Sequence, residues 1–153
     1  MKRVAAFVIL SALAVGCSPV PPQSDAVMCD VATRLVTART LTQQAALRDA
    51  DGDKDEARQM AGQARSLAQE ANDQLQTVSS DNVRQGGTWQ ALLEAYLHVG
   101  QAANALLPDY ANTYGMTGDE LTAANSYLQI AEAGLPARCF TVSPSPRAGA
   151  SEP

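Results

Sequence analysis

Through two long stretches of this chain, apolar residues recur at alternating spacings of three and four, and many of them are alanine. From about Asp25 to Arg48 the positions are Met28, Val31, Leu35, Ala38, Thr42 and Ala45. From about Lys54 to Val78 they are Ala57, Met60, Ala64, Leu67, Ala71, Leu75 and Val78. That spacing keeps one stripe of an α-helix facing a neighbour. An alanine stripe lets two backbones approach closely, so the pattern calls for helices laid side by side. Asp49-Ala50-Asp51-Gly52-Asp53 interrupts it, and Asp53 with Glu56 three residues on reads as a capping pair for the second helix. Ser79 to Thr88 contains Gly86-Gly87 and reads as a loop. A third helix carries Trp89, Leu92 or Leu93, Tyr96, Gly100, Ala103 and Leu107, and Pro108 stops it. Thr117-Gly118-Asp119-Glu120 reads as a capping box opening a fourth helix, with Leu121, Ala124, Leu128 and Ala131 inward and Gly134 and Pro136 at its end.

Four helices with short connections predict an all-α fold, an antiparallel up-down-up-down four-helix bundle. Aromatic residues are 5% of the chain and isoleucine occurs only at Ile9 and Ile130, which argues against a β-sandwich or barrel. The alternative is a pair of tetratricopeptide-like helical hairpins, since Gly52-Asp53-Lys54-Asp55-Glu56-Ala57 looks like the turn into the second helix of such a repeat. No 34-residue period follows it, and the first hairpin is too long.

The N-terminus carries a second signal. Lys2 and Arg3 precede an apolar run from Val4 to Val15 broken only by Ser11. About a dozen residues are too few to cross a hydrocarbon core as a helix, which takes roughly 20, and are the right length for the apolar region of a signal peptide. The run ends Leu13-Ala14-Val15-Gly16-Cys17, which resembles the lipobox of bacterial lipoproteins, with Ala14 where leucine is commoner. The resemblance implies that Cys17 is acylated and becomes residue one of the mature chain. Residues 1–16 are then a signal peptide and 17–24 the acylated cysteine with a proline-rich tether. Residues 25–140 form the helical bundle and 141–153 a disordered tail. Losing sixteen residues leaves 137, and losing Lys2 and Arg3 takes the formal charge from −5 to −7. Two or three acyl chains anchor stably where one alone is marginal. Ser18 is not the aspartate that retains lipoproteins in the inner membrane. The family rule therefore points to the outer membrane facing the periplasm in a Gram-negative cell. In a Gram-positive cell it points to the outer face of the plasma membrane. An extended tether of seven residues reaches about 20 to 25 Å.

With Cys17 assigned to lipid, Cys29 and Cys139 remain. One lies in the first turn of the first helix and the other just past the last, at the same end of an up-down bundle. Export would place them in an oxidising compartment. Both arguments predict a Cys29–Cys139 disulfide, with two free thiols or an intermolecular bridge as alternatives. Closing a loop of about 110 residues is worth about 4 to 5 kcal/mol on the chain-entropy model.

The sequence offers little for catalysis. His98 is the only histidine, too few for a zinc site and without a nucleophile motif, and reads as an ordinary helical residue. The acids Asp49, Asp51, Asp53, Asp55 and Glu56 miss the glycine and final glutamate of a calcium-binding EF-hand in either register. They read as a solvated turn, with weak divalent-ion binding as the alternative. The acidic balance argues against nucleic acid as a partner. Tyr110, Tyr114 and Met116 fall in a loop that the bundle would bring to the same end as the acidic turn, opposite the lipid. These features predict a membrane-anchored, non-enzymatic lipoprotein that acts as an adaptor or accessory subunit for a protein partner. No catalytic, metal or cofactor site is expected. The candidate partner surface comprises Asp49, Asp51, Asp53, Asp55, Tyr110, Tyr114 and Met116. The rival is a carrier or sensor of a small apolar ligand, which would need a core cavity of roughly 300 Å³ beside Leu92, Tyr96 and Leu128.

Overall fold

The computed structural model describes residues 22–78, 86–108 and 117–142. They form four α-helices, α1 (Pro22–Asp51), α2 (Lys54–Leu75), α3 (Gly86–Ala105) and α4 (Thr117–Glu132), followed by a 3₁₀ turn, Ala137–Phe140. Among the described residues there is no strand. The helices form an all-α four-helix bundle. The most extensive contacts join α1 to α2 and α3 to α4, and α2 against α3 unites the two hairpins. Cross-helix pairs fix the directions. Arg34 meets Glu70, Tyr96 meets Gln69, His98 meets Glu120 and Arg39 meets Asn125. Together with the tight turn at Gly52, the contact of Trp89 with Leu75 and that of Thr88 with Gly134, they make each helix antiparallel to the next, so that α4 runs antiparallel to α1.

The α1 helix is 30 residues long, about 45 Å, and begins at Pro22, before the first apolar position of its stripe. Proline suits a first helical turn because the missing N–H would have no intrahelical partner there. At its other end the chain reverses within two residues. Asp53 N–H donates to Arg48 C=O at 2.9 Å and Gly52 N–H to Asp49 C=O at 3.2 Å, with Gly52 at φ +94°. These are the paired bonds of a Schellman motif, which uses the left-handed region where glycine carries no Cβ penalty. The capping pair read at Asp53 and Glu56 does not form: Asp53 makes no side-chain cap bond, and Arg48 draws both carboxylates to 3.6 and 3.5 Å.

The helical stripes bury as their spacing dictates, with two informative shifts. All six positions read for α1 are fully buried. On α2 the buried set is Ala57, Ala61, Ala64, Ala68, Ala71 and Leu75, so Ala61 and Ala68 take the places expected of Met60 and Leu67. The larger side chains flank a seam that only alanine fills, because close backbone approach leaves no room at its centre. On α3 the centre is Ala91, Leu92, Ala95, Val99, Ala102 and Ala103, and Trp89 and Tyr96 pack half-buried at the margin. There their polar atoms find partners: Trp89 Nε1 donates to Leu75 C=O at 3.2 Å, satisfying a carbonyl in the last turn of α2, and Tyr96 OH donates to Gln69 Oε1 at 3.3 Å. Thr42, fully buried, returns its hydroxyl proton to Ala38 C=O at 2.9 Å. Helix α3 starts at Gly86, inside the stretch read as loop. Its first turn is held by tertiary contact: Thr88 is buried against Gly134, where an added Cβ would overlap Thr88 Oγ1.

Candidate functional site

The bundle has two chemically distinct ends, separated along α1 by the 22 residues from Cys29 to Asp51, about 33 Å. At one end Cys29 in α1 and Cys139 in the 3₁₀ turn form a disulfide, with Cα atoms 4.8 Å apart. Thr33 Oγ1 sits between the two cysteine carbonyls, 3.0 Å from Cys29 O and 2.9 Å from Cys139 O. The hydroxyl thus ties the turn to α1 beside the covalent link. A surface groove of about 540 Å³ runs over this end, lined by Asp25, Asp30, Arg138 and the disulfide itself.

The other end is the α1–α2 turn. Residues 48–58 hold five acids and three cations, and the cations meet most of the acids. Lys54 Nζ lies 2.8 Å from Asp49, Arg58 lies 3.1 Å from Asp55, and Arg48 reaches Asp53 and Glu56. All of these groups are exposed, so each pair contributes little to stability. What remains is a solvated, moderately acidic knob on which Asp51 projects without such a partner. Among the described residues no group of three or more His, Cys, Asp or Glu side chains is placed to hold a metal ion.

His98 does more than its sequence context suggested. From the middle of α3 its Nδ1 lies 2.6 Å from Glu120 Oε2 at the start of α4, and its ring stacks on Tyr127 with centroids 5.5 Å apart and planes 11° from parallel. Glu120, read as part of a capping box, is turned toward α3 instead.

The structure thus brings Cys29 and Cys139 together, and gathers Asp49, Asp51, Asp53 and Asp55 at one turn. Residues 1–16, Cys17 and the tether to residue 21 lie outside the described residues, as do Tyr110, Tyr114, Met116 and the tail from 143, whereas residues 22–24, expected to end the tether, are the first residues of α1. Of the side chains that would line a core ligand site, Leu92 is fully buried, Leu128 nearly so and Tyr96 packs against them in a single apolar cluster. Helices α1 to α4 include no segment long and apolar enough to cross a membrane. Comparison with protein-family models, with curated proteins and with solved structures finds no match to this chain.

One polar residue escaped the sequence reading altogether. Arg39 reaches from α1 across to α4, where its Nη1 donates to Asn125 Oδ1, while its Nε is buried without an acceptor. The signal that could have found it is the width of the α1 stripe. Ala32 and Val36 are buried beside the main stripe, which turns a second face of α1 toward α4, and Arg39 follows Val36 at helical spacing.

Proposed function

We propose that this protein is a lipid-anchored lipoprotein of the bacterial cell envelope, and that its helical bundle is a non-enzymatic adaptor for a protein partner. The observation that carries the reading is Cys17, set at the end of an export signal and five residues before α1 begins. A tether that short would hold the disulfide end of the bundle near the bilayer. A disulfide between Cys29 and Cys139 supports export, since such bonds persist in oxidising compartments. In a Gram-negative cell the site would be the outer membrane facing the periplasm, and in a Gram-positive cell the outer face of the plasma membrane. The acidic turn at Asp49–Asp55 would then stand farthest from the lipid, and a partner arriving from the aqueous side would meet it first. Tyr110, Tyr114 and Met116 are proposed to share that surface. The close packing of Leu92, Leu128 and Tyr96 favours the adaptor over a carrier with a ligand in the bundle core.

Membrane fractionation of wild type and Cys17→Ala, with mass spectrometry of the N-terminus, tests the anchor. Acylated Cys17 in the membrane fraction and release or misprocessing of the variant are the expected results. An unlipidated, soluble wild-type chain would sink the proposal. Crosslinking in membranes tests the surface. Neutralising Asp49, Asp51, Asp53 and Asp55 should slow partner association and weaken its salt dependence, while Tyr110→Ala and Tyr114→Ala should speed dissociation. Wild-type crosslinking by all of these variants, with loss on Gln69→Arg in the exposed face of α2, would move the partner to the helix faces.

A further inference from the structure

The adaptor reading uses the Cys29–Cys139 bond only as a staple, yet the bond lies on a surface. Both cysteines line the open groove at their end of the bundle. They differ in access: Cys139 is fully buried, whereas Cys29 is partly exposed. In thiol–disulfide exchange a thiolate must reach one sulfur while the other leaves, so access decides which is attacked. Here it selects Cys29. Arg138, next in sequence to Cys139, lines the same groove, and a cation there favours an incoming and a departing thiolate alike. Asp25 and Asp30 line it from α1, and Asp30 is already paired with Arg34 at 3.0 Å. The bond also ties down the segment that follows α4. From 133 to 142 that segment is mostly exposed, with Leu135 and Cys139 buried. Besides the disulfide, the bond from Thr33 Oγ1 to Cys139 O and the burial of those two side chains hold it to the bundle. Two of its own hydrogen bonds, Cys139 N–H to Pro136 C=O and Thr141 Oγ1 to Arg138 C=O, are local and anchor it to nothing else. Phe140, half-buried, stands beside Val36 and Leu128.

We propose that Cys29–Cys139 is a reducible clasp, opened by exchange with a dithiol at Cys29, and that its opening releases residues 133–142 from α1. A thiolate of the dithiol attacks Cys29 Sγ through the groove. The Cys29–Cys139 bond breaks, a mixed disulfide forms on Cys29, and Cys139 leaves as a thiolate that takes a proton from water. The second thiol of the dithiol, deprotonated, then displaces Cys29, which is protonated in turn. The chain gains two electrons and two protons, and the dithiol departs as a disulfide. Oxidation by a disulfide-bonded partner runs the same steps backward. Release of the segment uncovers Leu135 and Phe140, together with Val36 on α1, as an apolar surface of the reduced chain. The inference is independent of the lipid anchor and of the acidic turn.

The test uses the full chain carrying Cys17→Ala, so that Cys29 and Cys139 are its only cysteines. Dithiothreitol is the dithiol probe, and glutathione, a monothiol, traps the first step. Reduction by dithiothreitol should proceed from the native state, at a rate unchanged by urea below the unfolding transition. Acid quenching and peptide mapping after glutathione should find the mixed disulfide on Cys29 in at least about tenfold excess over Cys139. Hydrogen exchange of the reduced chain should show residues 133–142 losing protection by at least about tenfold while α2 and α3 keep theirs. A reduction rate that climbs with urea as global unfolding does would overturn the proposal, since the bond would then be reached only in the unfolded chain. Equal glutathione on the two cysteines would also overturn it, as would a reduced chain whose 133–142 segment stays as protected as in the oxidised form.

Discussion

His98 joins α3 to α4 in two ways at once, through the 2.6 Å contact of Nδ1 with Glu120 and through the face of its ring on Tyr127. The two contributions are separable. His98→Phe keeps an aromatic face for Tyr127 and removes the hydrogen bond, whereas His98→Ala removes both. The side chains are only 26% and 18% exposed, so screening by solvent is partial, and a charge-assisted bond there should be worth about 1 to 2 kcal/mol. Denaturant unfolding of His98→Phe, Glu120→Gln and the double variant gives the coupling energy. We expect a coupling of about 1 kcal/mol, with His98→Ala less stable than His98→Phe. A coupling indistinguishable from zero would reduce the contact to packing. No local pattern marks this pair: a lone histidine between Leu97 and Val99 looks the same whether or not a glutamate 22 positions on turns to meet it.

At the level of the helix, the α1–α2 turn depends on a single backbone angle. Gly52 holds φ +94° and has nothing within 4 Å of where a Cβ would stand, so substitution there tests conformation without a steric clash. Gly52→Ala should lower stability by about 1 kcal/mol and Gly52→Asn by less, because asparagine tolerates the left-handed region better. Thermal melts of the three proteins check the order. If Gly52→Ala melts with wild type, the Schellman geometry is not what fixes the turn. This turn was legible in the sequence because glycine after a helical stripe has a local cause. So were the buried positions of α1, whose spacing alone names Met28, Val31, Leu35, Ala38, Thr42 and Ala45. The α2 seam was half legible: Ala57, Ala64, Ala71 and Leu75 fit, but Met60 and Leu67 yield the centre to Ala61 and Ala68. A size-based ranking of apolar residues favours the larger ones, and only the separation of the two backbones says that small ones must fill the middle. The start of α3 and the role of Arg39 were not legible, since each depends on a partner far away in sequence: Gly134 for Thr88, and Asn125 for Arg39.

For the molecule as a whole, the decisive bond is the one that joins its two ends. The chain forms two hairpins, α1–α2 and α3–α4. The Cys29–Cys139 disulfide links the third turn of α1 in the first hairpin to the residues just after the second, across a sequence separation of 110. A core built largely from alanine buries little apolar area per residue, and Leu35, Leu75, Leu92 and Met28 are its largest fully buried side chains. Restricting the unfolded chain therefore supplies a large share of the stability, about 4 to 5 kcal/mol at most. For a domain of this size, loss of that contribution should lower the melting temperature by about 10 to 20 °C. Helix content at room temperature should be retained, because the interhelical seams do not include the bond. Native-state hydrogen exchange in the reduced protein should locate the loss. The first turns of α1 and the 3₁₀ turn, held otherwise by Thr33, should exchange first, while the Asp49–Asp55 end keeps its protection. The Cys29→Ser, Cys139→Ser double variant should behave as the reduced wild type does. Equal melting temperatures with and without reductant would show that burial alone carries the fold. Under the anchoring proposed above, the stakes are directional: the disulfide closes the end next to the bilayer, so reduction would loosen the bundle at its tether before disturbing the end offered to a partner.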